Sequence, residues 1–276
     1  MEYTEEHFSY SEGSTTLHTF PATDPNAPSI IALHGFTGLG SDFAPCANAA
    51  HGAFSWICPD LPGHGNHETS IPYFAAVYTL LNTLIKNHPK AHLLGYSMGA
   101  RLALNYALDH PSADILHLHL ISGTAGIEKD TDRSQRWQND HKLAQHIEKI
   151  GLKPFLEEWS QHPLIQSQQN ISSPWKEEMR RNRLEKHTSE KLAKALLEFS
   201  PGKIAARWKD LSKLIPPLSC YYGAEDLKYQ KLAQRFPNYY RQTQLVEIPQ
   251  CGHTPHLESS VRFAKRCFLQ KNIKNK

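Results

Sequence analysis

Short apolar runs and runs of helical period alternate through the first half of the chain. Residues 29–33 (SIIAL), 54–58 (FSWIC), 91–94 (AHLL) and 115–121 (ILHLHLI) are brief stretches dense in β-branched and large apolar side chains, the pattern of buried strands. Residues 73–87 and 98–109 repeat apolar positions at helical spacing. Alternating buried strands and helices predict a parallel sheet covered on both faces. The pattern then changes. From about 124 to 207 there is no strand signal, and the stretch is charged, bears Gln and Trp, and is helical in period. Strand patterns return at 218–222 (LSCYY) and 244–248 (QLVEI), and a closing helix is predicted over about 259–268. The expected organisation is an α/β core in two parts, 1–123 and 208–276, interrupted by a helical insertion over 124–207. No internal repeat breaks this reading.

Composition narrows the partners. The chain has 276 residues, enough for one sizeable core, with 39% hydrophobic and 21% charged residues. A formal charge of +3 is too small to predict nucleic-acid binding. The basic run KNIKNK at the end reads as a solvated tail. The opening MEYTEEHFSY is acidic, without the apolar stretch of a secretory signal. No apolar run is long enough to insert in a membrane. The five cysteines have no paired spacing, so reduced thiols and a cytoplasmic setting are expected. Among the 17 histidines, His117 and His119 share a strand face, but two ligands do not make a metal site. No metal is expected.

Chemistry concentrates around LLGYSMGARLAL, residues 93–104. A buried strand runs into a helix here with Gly-Tyr-Ser-Met-Gly between them. So abrupt a turn strains the backbone at its tip and crowds the flanks, which suits glycine. This is the G-x-S-x-G elbow, with Ser97 as the exposed nucleophile or base. A serine hydroxyl needs an imidazole to take its proton and a carboxylate to orient that imidazole. Downstream, CYYGAEDLKY offers Glu225 and Asp226 after one strand, and VEIPQCGHTPHLE offers His253 and His256 after another. Asp226 is chosen from the G-x-x-D spacing, and His253 because it follows Gly252 directly after the strand. An oxyanion hole needs two backbone N–H groups. Met98, opening the helix, supplies one, and Phe36 in the IIALHGFTG loop supplies the other. DLPGHG, 60–65, reads as a structural turn.

The motifs LHGFTG, DLPGHG, GYSMG, GAED and CGHTPHLE together resemble the α/β-hydrolase superfamily. Within it, GTAGI, RWQND, EEWSQHPLI, MRRNRL and LAKALLEFSPG resemble the 2-succinyl-6-hydroxy-2,4-cyclohexadiene-1-carboxylate synthases of menaquinone biosynthesis, over nearly the whole chain. The resemblance implies an α/β-hydrolase fold, a mostly parallel sheet flanked by helices, with 124–207 as a helical cap. It implies a lyase that eliminates pyruvate from 2-succinyl-5-enolpyruvyl-6-hydroxy-3-cyclohexene-1-carboxylate without a cofactor. Ser97 would act as base, His253 would hold the proton and Asp226 would orient it. The small-molecule substrate is a polycarboxylate, and planar arginine forks suit carboxylates. The matching positions are Arg101, one turn beyond Ser97, Arg136 and Arg180, with Tyr96 and Trp159 lining the pocket. Arg181 and Arg183 remain rivals to Arg180. Two positions depart from the family pattern: Ala100 stands where a second glycine is common, and SPGK at 200–203 replaces a Gly-Thr-Gly-type turn.

The same triad would serve an esterase, a thioesterase or a C–C bond hydrolase, and three cations in the pocket discriminate against neutral esters. A binding protein on this fold would be expected to have lost a triad member. Oligomeric state is not legible in the chain.

Overall fold

The computed structural model describes residues 3–269. The tail at 271–276 lies outside the described residues. Strands β1 (Thr4–Tyr10) and β2 (Gly13–Phe20) open the chain, followed by β3 (Ser29–Leu33), α1 (Ala44–Ala49), β4 (Ser55–Pro59), β5 (Glu68–Thr69) and α2 (Tyr73–Asn87). Then come β6 (Ala91–Tyr96), α3 (Met98–Asp109) and β7 (Ile115–Ile121). Four helices follow without a strand: α4 (Asp130–Ile150), α5 (Leu152–Ser160), α6 (Ser173–Lys186) and α7 (Ser189–Glu198). The chain closes with β8 (Leu218–Gly223), α8 (Leu227–Ala233), β9 (Thr243–Ile248), α9 (Pro255–Glu258) and α10 (Ser260–Cys267).

The sheet runs β1-β2-β4-β3-β6-β7-β8-β9, with β5 paired to β2. The pairings from β4 to β9 are parallel, and β1 and β2 add an antiparallel edge. Period-two alternation explains the two-sided core. Ile31, Leu33, Leu93, Leu118 and Leu120 face one buried cluster, while Ile30, Ala32, Leu94 and Ile121 face the other. Every residue of β6 and β8 is buried, as expected of central parallel strands with helices on both faces. The opening strands were not foreseen. β1 is almost wholly exposed, and TEEHFSY has no apolar run to betray it. The expected closing helix over about 259–268 is present as α10, and the one-turn α9 that precedes it was not foreseen.

Strand order reverses between β3 and β6, since β3 leads to β4 on one side and β6 starts the other half. The carboxyl ends of strands at such a switch point leave a crevice. Helices α4–α7 stand between β7 and β8 in the chain and carry their own small cluster of Ala144, Ile147, Phe155, Leu192, Ala193 and Leu196, with Phe36 of the core packed against it.

Several histidines are buried as neutral rings. Burial pushes His34 and His187 down to about 4, His256 to about 3, and His64 well below its ordinary value. In the unfolded chain each titrates near ~6.5. Between about pH 6.5 and 4 the unfolded state therefore binds more protons, and stability falls as pH falls through that window. Unfolding at pH 5 should take up about one proton per such histidine. Urea midpoints measured from pH 7 to 4.5 test this, and a flat midpoint contradicts it.

Candidate active site

Ser97 stands between β6 and α3 with φ 51° and ψ −102°, a left-handed conformation that costs on the order of 1–3 kcal/mol unless its surroundings impose it. The flanking glycines are what make it feasible. A Cβ on Gly95 would lie 2.3 Å from the Gly99 carbonyl oxygen, and one on Gly99 would lie 2.1 Å from that of Leu33. Gly99→Ala should accordingly lower stability by about 1–3 kcal/mol or more. A melting curve checks this, and an unchanged Tm contradicts the packing account. Ala100, the departure noted above, is tolerated. Its methyl sits where a Cβ on Gly123 would approach to 3.0 Å, so the small residue there is Gly123 instead.

His253 Nε2 lies 3.1 Å from Ser97 Oγ, and its Nδ1 lies 2.7 Å from Asp226 Oδ2. Asp226 Oδ1 accepts the Tyr229 N–H at 3.1 Å, so the carboxylate also caps α8. His253 and Asp226 are almost wholly buried. In this geometry Nδ1–H donates to Asp226 and Nε2 is free to accept from Ser97. The rejected rivals lie elsewhere. Glu225 is exposed, and His256 is buried beside Tyr96, Phe43 and Phe263.

Glu258 fixes the His253 loop. It accepts the N–H groups of Gly252 (2.6 Å) and Thr254 (2.9 Å) and the Thr254 hydroxyl (2.7 Å). It also accepts the Ser167 hydroxyl at 2.8 Å, a link from the helical insertion. The Ser122 hydroxyl donates to the His253 carbonyl at 2.8 Å. The His253 ring lies between Tyr96 and Tyr229, with centroids at 5.5 and 4.4 Å.

Phe36 follows β3 on a loop pressed against the elbow. A Cβ on Gly35 would come within 3.6 Å of Ser97 Cβ and 2.6 Å of the Tyr96 ring. Met98 begins α3, where the first amides have no intrahelical partner. Neither the Phe36 nor the Met98 N–H donates to another described residue. The Trp159 ring meets Phe36 edge-on at 5.6 Å, which brings the insertion directly onto this loop. DLPGHG supports the same loop: the His64 ring accepts the Thr37 N–H at 3.2 Å. Asp60 is buried against His18 and the Gly40 N–H.

The predicted cations fall into two groups. Arg101 is held by a single hydrogen bond, Nη2 to the Phe199 carbonyl at 3.0 Å, and its Nε has no partner among the described residues. No carboxylate pairs with it among them. Burial lowers its guanidinium to about 10. Arg136 is chelated through Nε by Asp140 at 2.8 and 2.9 Å, and Asp140 accepts Ser200 Oγ at 2.6 Å. The atypical SPGK turn thus braces the Asp140 carboxylate that holds Arg136. Partial desolvation and then repulsion from Arg136 hold Lys228 below the usual ammonium range, with Asp226 opposing and Arg101 adding to the repulsion. Lys228 was not foreseen; its only signal was adjacency to the GAED motif. Arg101, Arg136 and Lys228 lie within electrostatic reach of one another, with the charge of Arg136 matched by Asp140.

Arg180 does not join them. Its side chain is 68% exposed and lies 3.9 Å from Glu157. Arg183, one turn further along α6, is 14% exposed and bonds Asp42 at 3.1 Å. Helix α6 turns its Arg183 side to the core and leaves Arg180 at the rim. Arg181 is exposed. Trp159, Arg180 and Arg183 all line a cavity of about 320 Å³ between α5 and α6, walled by Leu156, Ile165 and Met179.

A Ser-His-Asp relay on loops at the carboxyl ends of parallel strands, with a strained serine, defines the class: the chain belongs to the Alpha/beta hydrolase family, whose sequence model matches residues 30–266. Its relatives narrow this. It is 30% identical over 251 residues to the "Putative 2-succinyl-6-hydroxy-2,4-cyclohexadiene-1-carboxylate synthase" of Bacillus subtilis (strain 168), covering 87% of this chain and 89% of that one. It is 31% identical over 273 residues to "Protein PHYLLO, chloroplastic" of Arabidopsis thaliana, covering 88% of this chain but 16% of that much longer protein. The solved structure of MenH from S. aureus superposes with a TM-score of 0.82 at 28% identity, covering 90% of this chain and 95% of that one. Within the hydrolase class, then, the chain belongs to the 2-succinyl-6-hydroxy-2,4-cyclohexadiene-1-carboxylate synthase family.

Proposed function

We propose that this protein is the lyase of that family and converts 2-succinyl-5-enolpyruvyl-6-hydroxy-3-cyclohexene-1-carboxylate to 2-succinyl-6-hydroxy-2,4-cyclohexadiene-1-carboxylate and pyruvate. The observation that carries the reading is Arg101: a partly buried guanidinium one turn from Ser97, its buried Nε without a partner and no carboxylate paired with it among the described residues. A partly desolvated cation without a counter-ion is costly, and a polycarboxylate substrate supplies the missing anion.

The chemistry follows from the two ring names. The succinyl ketone acidifies the ring proton at C2. His253 takes the Ser97 proton, and Asp226 stabilises the imidazolium that forms. The Ser97 oxygen removes the C2 proton. That bonding pair becomes C2=C3, the C3=C4 pair moves to C4=C5, and the C5–O bond breaks. His253 returns its proton to the departing oxygen, and enolpyruvate tautomerises to pyruvate. Charge builds on the succinyl ketone oxygen as C2 is deprotonated, which is where the Phe36 and Met98 amides act. Arg101 and Arg136 hold carboxylates. The 124–207 segment serves as a cap, with Tyr96, Trp159 and Arg180 lining the way in, and excludes water. No cofactor enters this scheme. Among the described residues no helix is long and apolar enough to cross a membrane, and the reading places the enzyme in the cytoplasm.

The runner-up is a hydrolase on the same triad. Following the substrate's ultraviolet spectrum with pyruvate assayed in parallel separates them. The lyase reading predicts a conjugated diene and pyruvate in equal amounts. Release of succinate, or no pyruvate, overturns it.

A further inference from the structure

We propose that His187 is a positioning residue that makes the oxyanion loop depend on the seating of the helical insertion. The proposal rests on Phe36 N–H being an oxyanion donor.

Thr37 is a β-branched residue at φ 64°, a conformation such a residue holds only under restraint. Three imidazoles restrain this loop. His34 Nε2 accepts the Leu61 N–H at 2.9 Å, so its Nδ1–H donates to the Gly35 carbonyl at 2.8 Å. His64 Nε2 accepts the Thr37 N–H at 3.2 Å, so its Nδ1–H donates to the Pro62 carbonyl at 3.2 Å. His187 Nδ1 accepts the Gly65 N–H at 3.1 Å, so its Nε2–H donates to the Thr37 carbonyl at 3.0 Å. Each ring is neutral with one tautomer, because each faces one backbone donor and one backbone acceptor.

The peptide plane transmits the restraint. In a trans peptide the C=O and N–H point opposite ways. Fixing the Gly35 carbonyl therefore aims the Phe36 N–H, and fixing both the N–H and the carbonyl of Thr37 holds the bend that follows. His34 and His64 come from loops of the sheet. His187 alone comes from the insertion, at the end of α6. The rings of His64 and His187 meet edge-on at 5.5 Å, so the three form one buried clasp. When α6 lifts, His187 leaves both Gly65 and Thr37, and the loop relaxes from its left-handed bend. A substrate that draws the helices down thereby completes the oxyanion hole.

The test uses the full chain with His187 changed to Ala, Asn or Gln. Two readouts are taken: kcat and KM for pyruvate release, and amide hydrogen exchange over residues 34–40. His187→Ala should lower kcat by about tenfold to a hundredfold, short of the loss of a whole oxyanion donor, with KM nearly unchanged. Exchange in the loop should rise at least about tenfold, in line with losing a local tie. The Gln amide nitrogen reaches the Nε2 position and can donate to Thr37, so His187→Gln should recover most of kcat. The Asn amide reaches only the Nδ1 position and Gly65, so His187→Asn should fold without recovering kcat. If the Ala variant is too unstable to assay, the contrast between Asn and Gln carries the test. Unchanged loop exchange, or equal kcat for Asn and Gln, overturns the proposal. Faster exchange with unchanged kcat rejects Phe36 as the oxyanion donor instead, and with it the premise of the proposal.

Discussion

Ser97→Ala should lower pyruvate release by several orders of magnitude while leaving KM nearly unchanged. In the proposed mechanism the Oγ takes the C2 proton, and its partner His253 Nε2 stands 3.1 Å from that oxygen. Members of such a relay act as a unit, and in serine proteases knocking out one costs about as much as removing all, on the order of 10⁴–10⁶ in kcat. Adding His253→Ala to Ser97→Ala should therefore change the rate by little more than about threefold. Single-turnover progress curves for the two singles and the double give the comparison. Near-normal turnover in Ser97→Ala removes the base from the scheme, and additive losses would mean that Ser97 and His253 act in separate steps.

Arg101→Ala should cost at least about tenfold in kcat/KM for elimination, with the losses typical of truncating one partner of a buried charge pair reaching about 2–5 kcal/mol. Stability should move the other way or not at all. Arg101 holds one carbonyl hydrogen bond and a partnerless Nε, so its removal relieves a partly desolvated, unpaired charge. Arg101→Lys keeps the charge but loses the planar fork, and should recover only part of the loss. Hydrolysis of a small neutral ester, if present, should persist in both, since Ser97, His253 and the loop amides remain. Measuring kcat/KM and Tm together distinguishes the cases. A fall in both would make Arg101 a structural residue, and unchanged elimination would sink the carboxylate clamp and favour a hydrolase.

Features set by local geometry were legible in the chain. The elbow could be read because strand, Gly-x-Ser-x-Gly and helix are contiguous, although the Leu33 carbonyl that demands Gly99 comes from another strand. The strand patterns at 29–33 and 115–121 coincide with β3 and β7 because both are short apolar runs bounded by turns. Strands β1 and β2 were missed for the opposite reason. Their stability comes from pairing along the edge, and β1 leaves almost no apolar trace. Helix α8 is seven residues long, too short to show a period. Arg180 and Arg183 are three residues apart on one helix, so spacing alone could not tell rim from interior. The pairing of Arg183 with Asp42, 141 residues earlier, decided that. The clasp at Thr37 was illegible for the same reason, since His187 meets its partners across 122 and 150 residues.

The central claim is proton abstraction at ring C2 by Ser97, with no acyl-enzyme. Turnover of the enolpyruvyl substrate carrying deuterium at C2 tests it most directly, with the ring product weighed by mass spectrometry. The account predicts a product without the label, formed with pyruvate, and a primary isotope effect on kcat/KM. A product that retains the deuterium, or a quenched enzyme carrying an acyl group on Ser97, would contradict it.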